Sequence, residues 1–302
     1  MKRVAVLMGG LSAEREVSLS TGHAVAVALS EHGYAVEAID VDADIAALIT
    51  RLTPAPDAVF NALHGRFGED GCIQGLLELL GIPYTHSGVQ ASALAMDKAA
   101  ARRFFQAHGL RVAEGQTVPV EDADRVYEAP YVVKPIAEGS SLGVRIVLPG
   151  DNRPALADSW RFGAEVLVER YVPGRELTVG VLGDHVFDVI EVRSRDAFYT
   201  YDSKYVSGGS EHLLPAPIHG AAYAEAQAMA LAAHRALGCR GVSRADFRYD
   251  DTAGEPGALY LLEVNTQPGM TATSLVPEMA AHAGISFAAL CARLVEEARC
   301  GA

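Results

Sequence analysis

Leu259–Gly269 reads Leu-Tyr-Leu-Leu-Glu-Val-Asn-Thr-Gln-Pro-Gly. The first half is an apolar strand, and the second is a turn closed by Pro268 and Gly269. Strand side chains alternate between faces, so Glu263 and Asn265 project the same way and offer a carboxylate and an amide oxygen. Hard oxygen donors of this kind suit Mg²⁺, which shares its sphere with water and substrate phosphates. Upstream, Ser243–Tyr249 reads as a second strand, with Arg244, Asp246 and Arg248 on one face and Ala245 and Phe247 on the other. Pairing the two as a hairpin through Asp250–Gly257 brings Asp246 beside Glu263. Taken alone, Glu263 also reads as a solvated charge at a strand end. The Arg-x-Asp strand before it favours a magnesium cradle with an arginine alongside.

The chain has 302 residues, more than one typical core, which implies two or three domains. A net charge of −13 argues against general nucleic-acid binding, which depends on neutralising phosphates. Cys72, Cys239, Cys291 and Cys300 form no Cys-x-x-Cys pair, and so read as free thiols in a reducing compartment rather than a zinc or redox site. The apolar run Val4–Met8 after Lys2-Arg3 is too short for a signal peptide and suits a first buried strand. No run of about 18 apolar residues is present, so no membrane span is expected and the cytoplasm is the default.

Strand, helix and strand repeat through the first part: Val4–Met8, Ala13–Glu31, Tyr34–Asp40, Ala58–Leu63, Ile73–Leu80 and Ile82–Thr85. That order predicts an α/β parallel sheet with ligands beyond the C-terminal strand ends. This edge carries Gly9-Gly10-x-Ser12-x-Glu14 and His64–Gly71, where Glu14 reads either as a helix-start acid or as part of a site. Further on, Lys134 ends a strand and Glu138–Gly143 forms a glycine- and serine-rich loop able to curl over phosphates. The same stretch also reads as a flexible hairpin turn with a surface lysine. Glu165–Val172 and Arg175–Gly183 are strands, Asp188–Val192 continues the second sheet, and Asp196–Gly209 is a polar segment with the character of a lid. Ala221–Leu237 is an Ala-rich helix and Phe287–Ala298 a closing one.

Taken in order, Gly9-Gly10-x-Ser12-Ala13-Glu14, Leu63-His64-Gly65 with Gly68-Glu69-Asp70-Gly71, Met96-Asp97-Lys98, Lys134-Pro135 with Glu138–Gly143, and Glu263-x-Asn265-Thr266-x-Pro268-Gly269-Met270-Thr271 resemble the D-alanine–D-alanine ligase family of the ATP-grasp superfamily. The resemblance runs nearly end to end. It implies an N-terminal parallel-sheet domain (1–94), a small central ATP-binding domain (95–172) and a C-terminal antiparallel-sheet domain with the metal site and lid (173–302). The last two are α+β in character. It implies joining of two D-alanines at the expense of ATP, through a D-alanyl phosphate, for peptidoglycan. Asp246, Glu263 and Asn265 are then the ligands of two Mg²⁺ ions, with Mn²⁺ as substitute. Lys98, Lys134 and Lys204 hold ATP phosphates under Ser140 and Ser141. Glu169 and Glu176 take the adenine amino group and the ribose, with the Arg170, Tyr171 and Val172 backbone against adenine. Glu14 anchors the first D-alanine, and Ser140 and Tyr205 link it to the lid. Arg244 and Gly269 meet oxyanion charge, and Ser274 grips the second carboxylate. Lys204-Tyr205 favours an amine as the second nucleophile, over the D-lactate hydroxyl of depsipeptide-forming relatives. A regulatory module without turnover is disfavoured because Asp246, Glu263, Asn265 and Arg244 are all present. A homodimer is also implied, with no nucleic-acid or membrane partner. Ala113–Tyr127 carries no motif, and Gln267 stands where a variable residue is expected.

Overall fold

The computed structural model describes residues 1–151, 153–194, 209–271 and 274–301. Its first unit is a parallel sheet of β1 (Arg3–Gly9), β2 (Ala35–Val41) and β3 (Ala58–Asn61), in the order β2-β1-β3. From Val4 to Met8 the central strand β1 is apolar because helices cover both of its faces. Val4 and Val6 pack with Val25, Ala28 and Leu29 of α1 (Arg15–Glu31). Ala5 and Leu7 pack with Leu48 of α2 (Ile45–Arg51) and with Ile73 and Leu77 of α3 (Cys72–Leu80). The expected strand Ile82–Thr85 shrinks to a single bridging residue, Tyr84, placed between Val59 and Arg299. Its neighbour Pro83 has no N–H with which to extend a ladder.

After α4 (Val89–Met96) and α5 (Lys98–Ala107) comes an antiparallel sheet in the order β4-β7-β5-β6. It is built from β4 (Gly115–Pro119), β5 (Tyr131–Lys134), β6 (Arg145–Val147) and β7 (Glu165–Arg170), with the short helix α6 (Leu156–Ser159) beside it. β4 lies in the stretch that carries no sequence motif.

The third sheet runs β11-β10-β8-β12-β13, with β9 (His185–Val186) on β8. Its strands are β8 (Arg175–Leu182), β10 (Ile190–Ser194), β11 (Ser210–Leu213), β12 (Val242–Asp250) and β13 (Ala258–Asn265). α7 (Gly220–Leu237) covers one face, where Ala226, Ala230 and Ala233 let it lie close to Leu177, Phe247 and Leu261. On the other face Leu182, Ile190, Val192 and Val242 pack with Leu275, Val276 and Met279, and Thr178, Arg244 and Asp246 line a small cavity.

The β12–β13 hairpin sets the register. Asp246 pairs with Glu263, but Phe247 pairs with Leu261, so Leu262 is an extra residue in the ladder. This bulge resolves a conflict in the sequence. Under strict alternation Glu263 would share a face with Leu259 and Leu261, which are 0% and 1% exposed in the core. The added residue turns Glu263 and Asn265 to the open face while the leucines stay inside.

Two helices close the chain, α8 (Leu275–His282) and α9 (Phe287–Glu296). Their apolar sides join the core beneath β1 and β3. No single helix among the described residues is long and apolar enough to cross a membrane.

Candidate active site

Two cavities open between the three sheets. The larger, of about 590 Å³, is lined by Lys134, Ser141, Glu169, Arg170, Tyr171, Val172 and Arg248. Its size is that of a pocket for a nucleotide-sized molecule. The smaller is lined by Glu14, His64, Glu69, Ser140, Arg244, Asn265, Gly269 and Ser274. Lys98, Glu138, Glu176, Asp246 and Glu263 line both and form the junction. Each expected site residue within the described part of the chain lines one cavity or both. Lys204 and Tyr205 lie outside the described residues, as does most of the expected lid.

Glu14 is buried just before α1, yet its side chain makes no capping bond to that helix. Ser140 Oγ donates to it instead. A Cβ added at Gly65 or Gly139 would stand 2.7 Å from Glu14 Oε2, so both loops can pack this closely only as glycine. Ser140 and Ser141 have φ of 50° and 58°, in the left-handed region that non-glycine residues rarely adopt. Holding them there costs about 1–3 kcal/mol each and requires a firm surround. Lys98 supplies part of it. Its backbone N–H donates to Ile136 O at 2.9 Å and its Nζ to Glu138 O at 2.6 Å. The same Nζ stands 3.3 Å from Glu263. Asp97 orients the helix by accepting from Ala100 N–H at 2.8 Å.

On the open face of β12, Arg244 grips Asp246 with two parallel bonds of 2.8 and 2.7 Å. Thr178 Oγ1 donates to Asp246 at 2.6 Å from the paired strand. Thr178 was not singled out in the sequence, although a lone threonine between Leu177 and Val179 is its trace. Lys134 faces Glu169 at 2.6 Å. Burial would lower its pKa, but the charge and hydrogen bond of Glu169, with the charges of Glu263 and Glu176, together outweigh this and raise it, so the lysine stays charged. Arg248 holds the segment after β7 by donating to Val172 O and Gly174 O.

Burial dominates the titration of His64, His86 and His234. His64 is held down to about 4 by burial and then by the Arg244 charge, so it meets the cavity as a neutral ring. Burial likewise lowers His86 to about 3 and His234 to about 4. In each case the unfolded chain binds a proton below 6.5 that the folded chain refuses. Stability is therefore full above that pH and is lost as the pH falls toward the folded values. Glu69 opposes this, since burial and the Glu14 charge raise it to about 8 and the folded state holds its proton. Three groups against one should leave a net loss of roughly 2–4 kcal/mol in urea-unfolding free energy between pH 6.5 and 5. Equal or greater stability at pH 5 would contradict the neutral burial of these rings.

Family models match in two places: "D-ala D-ala ligase N-terminus" over residues 46–87 and "D-ala D-ala ligase C-terminus" over residues 105–296. The D-alanine–D-alanine ligase of Granulibacter bethesdensis is 60% identical over 305 aligned residues, covering 100% of this chain and 99% of that one. That of Acidiphilium cryptum is 59% identical, with 99% of each chain covered. Among solved structures, the Bacillus anthracis D-alanine–D-alanine ligase complexed with ATP superposes with a TM-score of 0.83 at 29% identity, covering 98% of this chain and 97% of that one. Sequence and architecture agree over essentially the whole length, and the chain belongs to the D-alanine–D-alanine ligase family.

Proposed function

We propose that the chain joins two D-alanines into D-alanyl-D-alanine, consuming ATP through a D-alanyl phosphate, in the supply of peptidoglycan precursors. The observation that carries this reading is the meeting of a nucleotide-sized cavity and a small polar cavity at Lys98, Asp246 and Glu263. A γ-phosphate entering from one side there meets a carboxylate entering from the other. Glu14 holds the ammonium of the first D-alanine. One oxygen of the D-alanine carboxylate attacks the γ-phosphorus, and the bond to ADP breaks. Lys98 and Lys134 offset phosphate charge. The amine of the second D-alanine, with its carboxylate at Ser274, then attacks the acyl carbon. Arg244 and the Gly269 N–H meet the oxyanion, the amine loses a proton and inorganic phosphate leaves.

Asp246, Glu263 and Asn265 form an all-oxygen set on one strand face, and this donor chemistry fits Mg²⁺ or Mn²⁺. Among the described residues no group of three or more His, Cys, Asp or Glu gathers to hold an ion. Nucleotide phosphates and water would therefore complete the coordination. Two ions bound there would supply charge neutralisation for phosphoryl transfer. On this reading the chain works as three units, 1–94, 95–172 and 173–302, each built on one sheet. A homodimer in the cytoplasm follows from the family likeness and is checked by light scattering and cell fractionation.

The test is ADP and phosphate release with ATP and Mg²⁺ in the presence of D-alanine, L-alanine, or D-alanine with D-lactate. D-alanine-dependent release with one dipeptide per ADP is expected, without depsipeptide near neutral pH. Silence with D-alanine would sink the substrate assignment, and depsipeptide formation would favour the D-lactate reading.

A further inference from the structure

Gln267 stands in the turn after the metal strand, at a position where the sequence reading expects a variable residue. In the structure it is 2% exposed, and both ends of its amide are engaged. Its Oε1 accepts from Asn61 Nδ2 at 2.7 Å, and its Nε2 donates to Leu63 O. Asn61, fully buried at the end of β3, also donates to Gly68 O at 2.9 Å and accepts from Leu63 N–H at 3.2 Å. The Gln267 backbone N–H donates to Asn265 Oδ1 at 2.9 Å. Residues about two hundred positions apart are thus joined side chain to side chain. One end is the loop carrying His64 and Glu69. The other is the strand end carrying Glu263, Asn265 and Gly269.

We propose that the Asn61–Gln267 amide bridge is a positioning device for the reaction, fixing the first-substrate side of the small cavity against the metal and oxyanion side. The inference rests on the ligase reading. Neither residue lines either cavity, so neither is a catalytic residue. The argument is geometric. A buried, fully partnered amide pair resists sliding, because any shift leaves a polar group unpaired away from water. In-line transfer and attack are sensitive to displacement, and a misplacement of about 1 Å can cost about a hundredfold in rate.

The experiment compares the full-length chain with Gln267→Met, Asn61→Leu and the double variant, reading kcat, KM for ATP and amide hydrogen exchange of residues 62–70. Each single variant should lower kcat by about tenfold or more, with KM for ATP within about twofold, and should speed exchange in that loop. The double variant should lose no more than the worse single one, because one bridge is broken only once. Gln267→Asn keeps a buried amide but falls one methylene short, so it guards against misfolding of the methionine variant and should lose kcat in the same direction. Unchanged kcat in Gln267→Met or Gln267→Asn overturns the proposal, as do losses that multiply in the double variant. If the wild-type chain shows no D-alanine-dependent ADP release, the ligase reading fails by itself. The exchange readout then still decides the bridge, and unaltered exchange overturns it.

Discussion

Glu263→Gln is expected to lower turnover by about a thousandfold or more while the fold is kept, since metal-held charge neutralisation is worth several kcal/mol and each 1.36 kcal/mol is tenfold in rate. The side chain lies on the open face of β13, opposite Asp246 and 3.3 Å from Lys98, at the junction of the two cavities. Glutamine preserves its volume and one oxygen but removes the charge. No core contact is lost, because the neighbours packed into the core are Leu261 and Val264. Folding should be unharmed for a second reason. Glu14 and Glu263 both push Glu69 upward, so the cavity already carries crowded negative charge, and removing one carboxylate relieves it. The measurement is kcat across a Mg²⁺ titration, with thermal unfolding as the control. A near-normal kcat with unchanged Mg²⁺ dependence would take Glu263 out of the metal site.

The hairpin was readable in the sequence because its signals are local. Two strands with polar residues on alternate positions, joined by a turn, fix Asp246 opposite Glu263 with few other solutions. The bulge at Leu262 was not readable as such, although the Leu261-Leu262 doublet that breaks the alternation is its trace. The glycine- and serine-rich loop left two readings open, and its packing over Glu14 is a contact across the fold that no local pattern reports. α2 went unseen because seven residues give barely two turns of period. α8 went unseen because Pro277 stands in its first turn, where proline is tolerated but reads as a breaker. Gln267 was missed for a different reason. Its depth is set by Asn61, which belongs to another sheet, and no local pattern reports a contact across that distance.

Arg244→Lys separates two roles that the geometry gives to one side chain. The guanidinium grips Asp246 through two parallel bonds and lines the small cavity beside His64, but not the nucleotide cavity. If its work were only to pair Asp246, a lysine would keep the charge pair and most of the turnover. If it meets the oxyanion, the planar fork is essential, since a point charge on a flexible stem cannot hold Asp246 and a developing charge at once. We expect the second outcome, with kcat lowered by about a hundredfold, the usual size for loss of one fixed oxyanion donor. KM for ATP should move by less than about threefold, because binding outside the transition state is untouched. The neutral His64 cannot substitute, as burial and the neighbouring positive charge keep it unprotonated at neutral pH. Steady-state kinetics of the variant, with ATP and D-alanine varied separately, decides the matter. A kcat within about threefold of the parent would reduce Arg244 to a structural partner of Asp246 and move the oxyanion role to the Gly269 N–H alone.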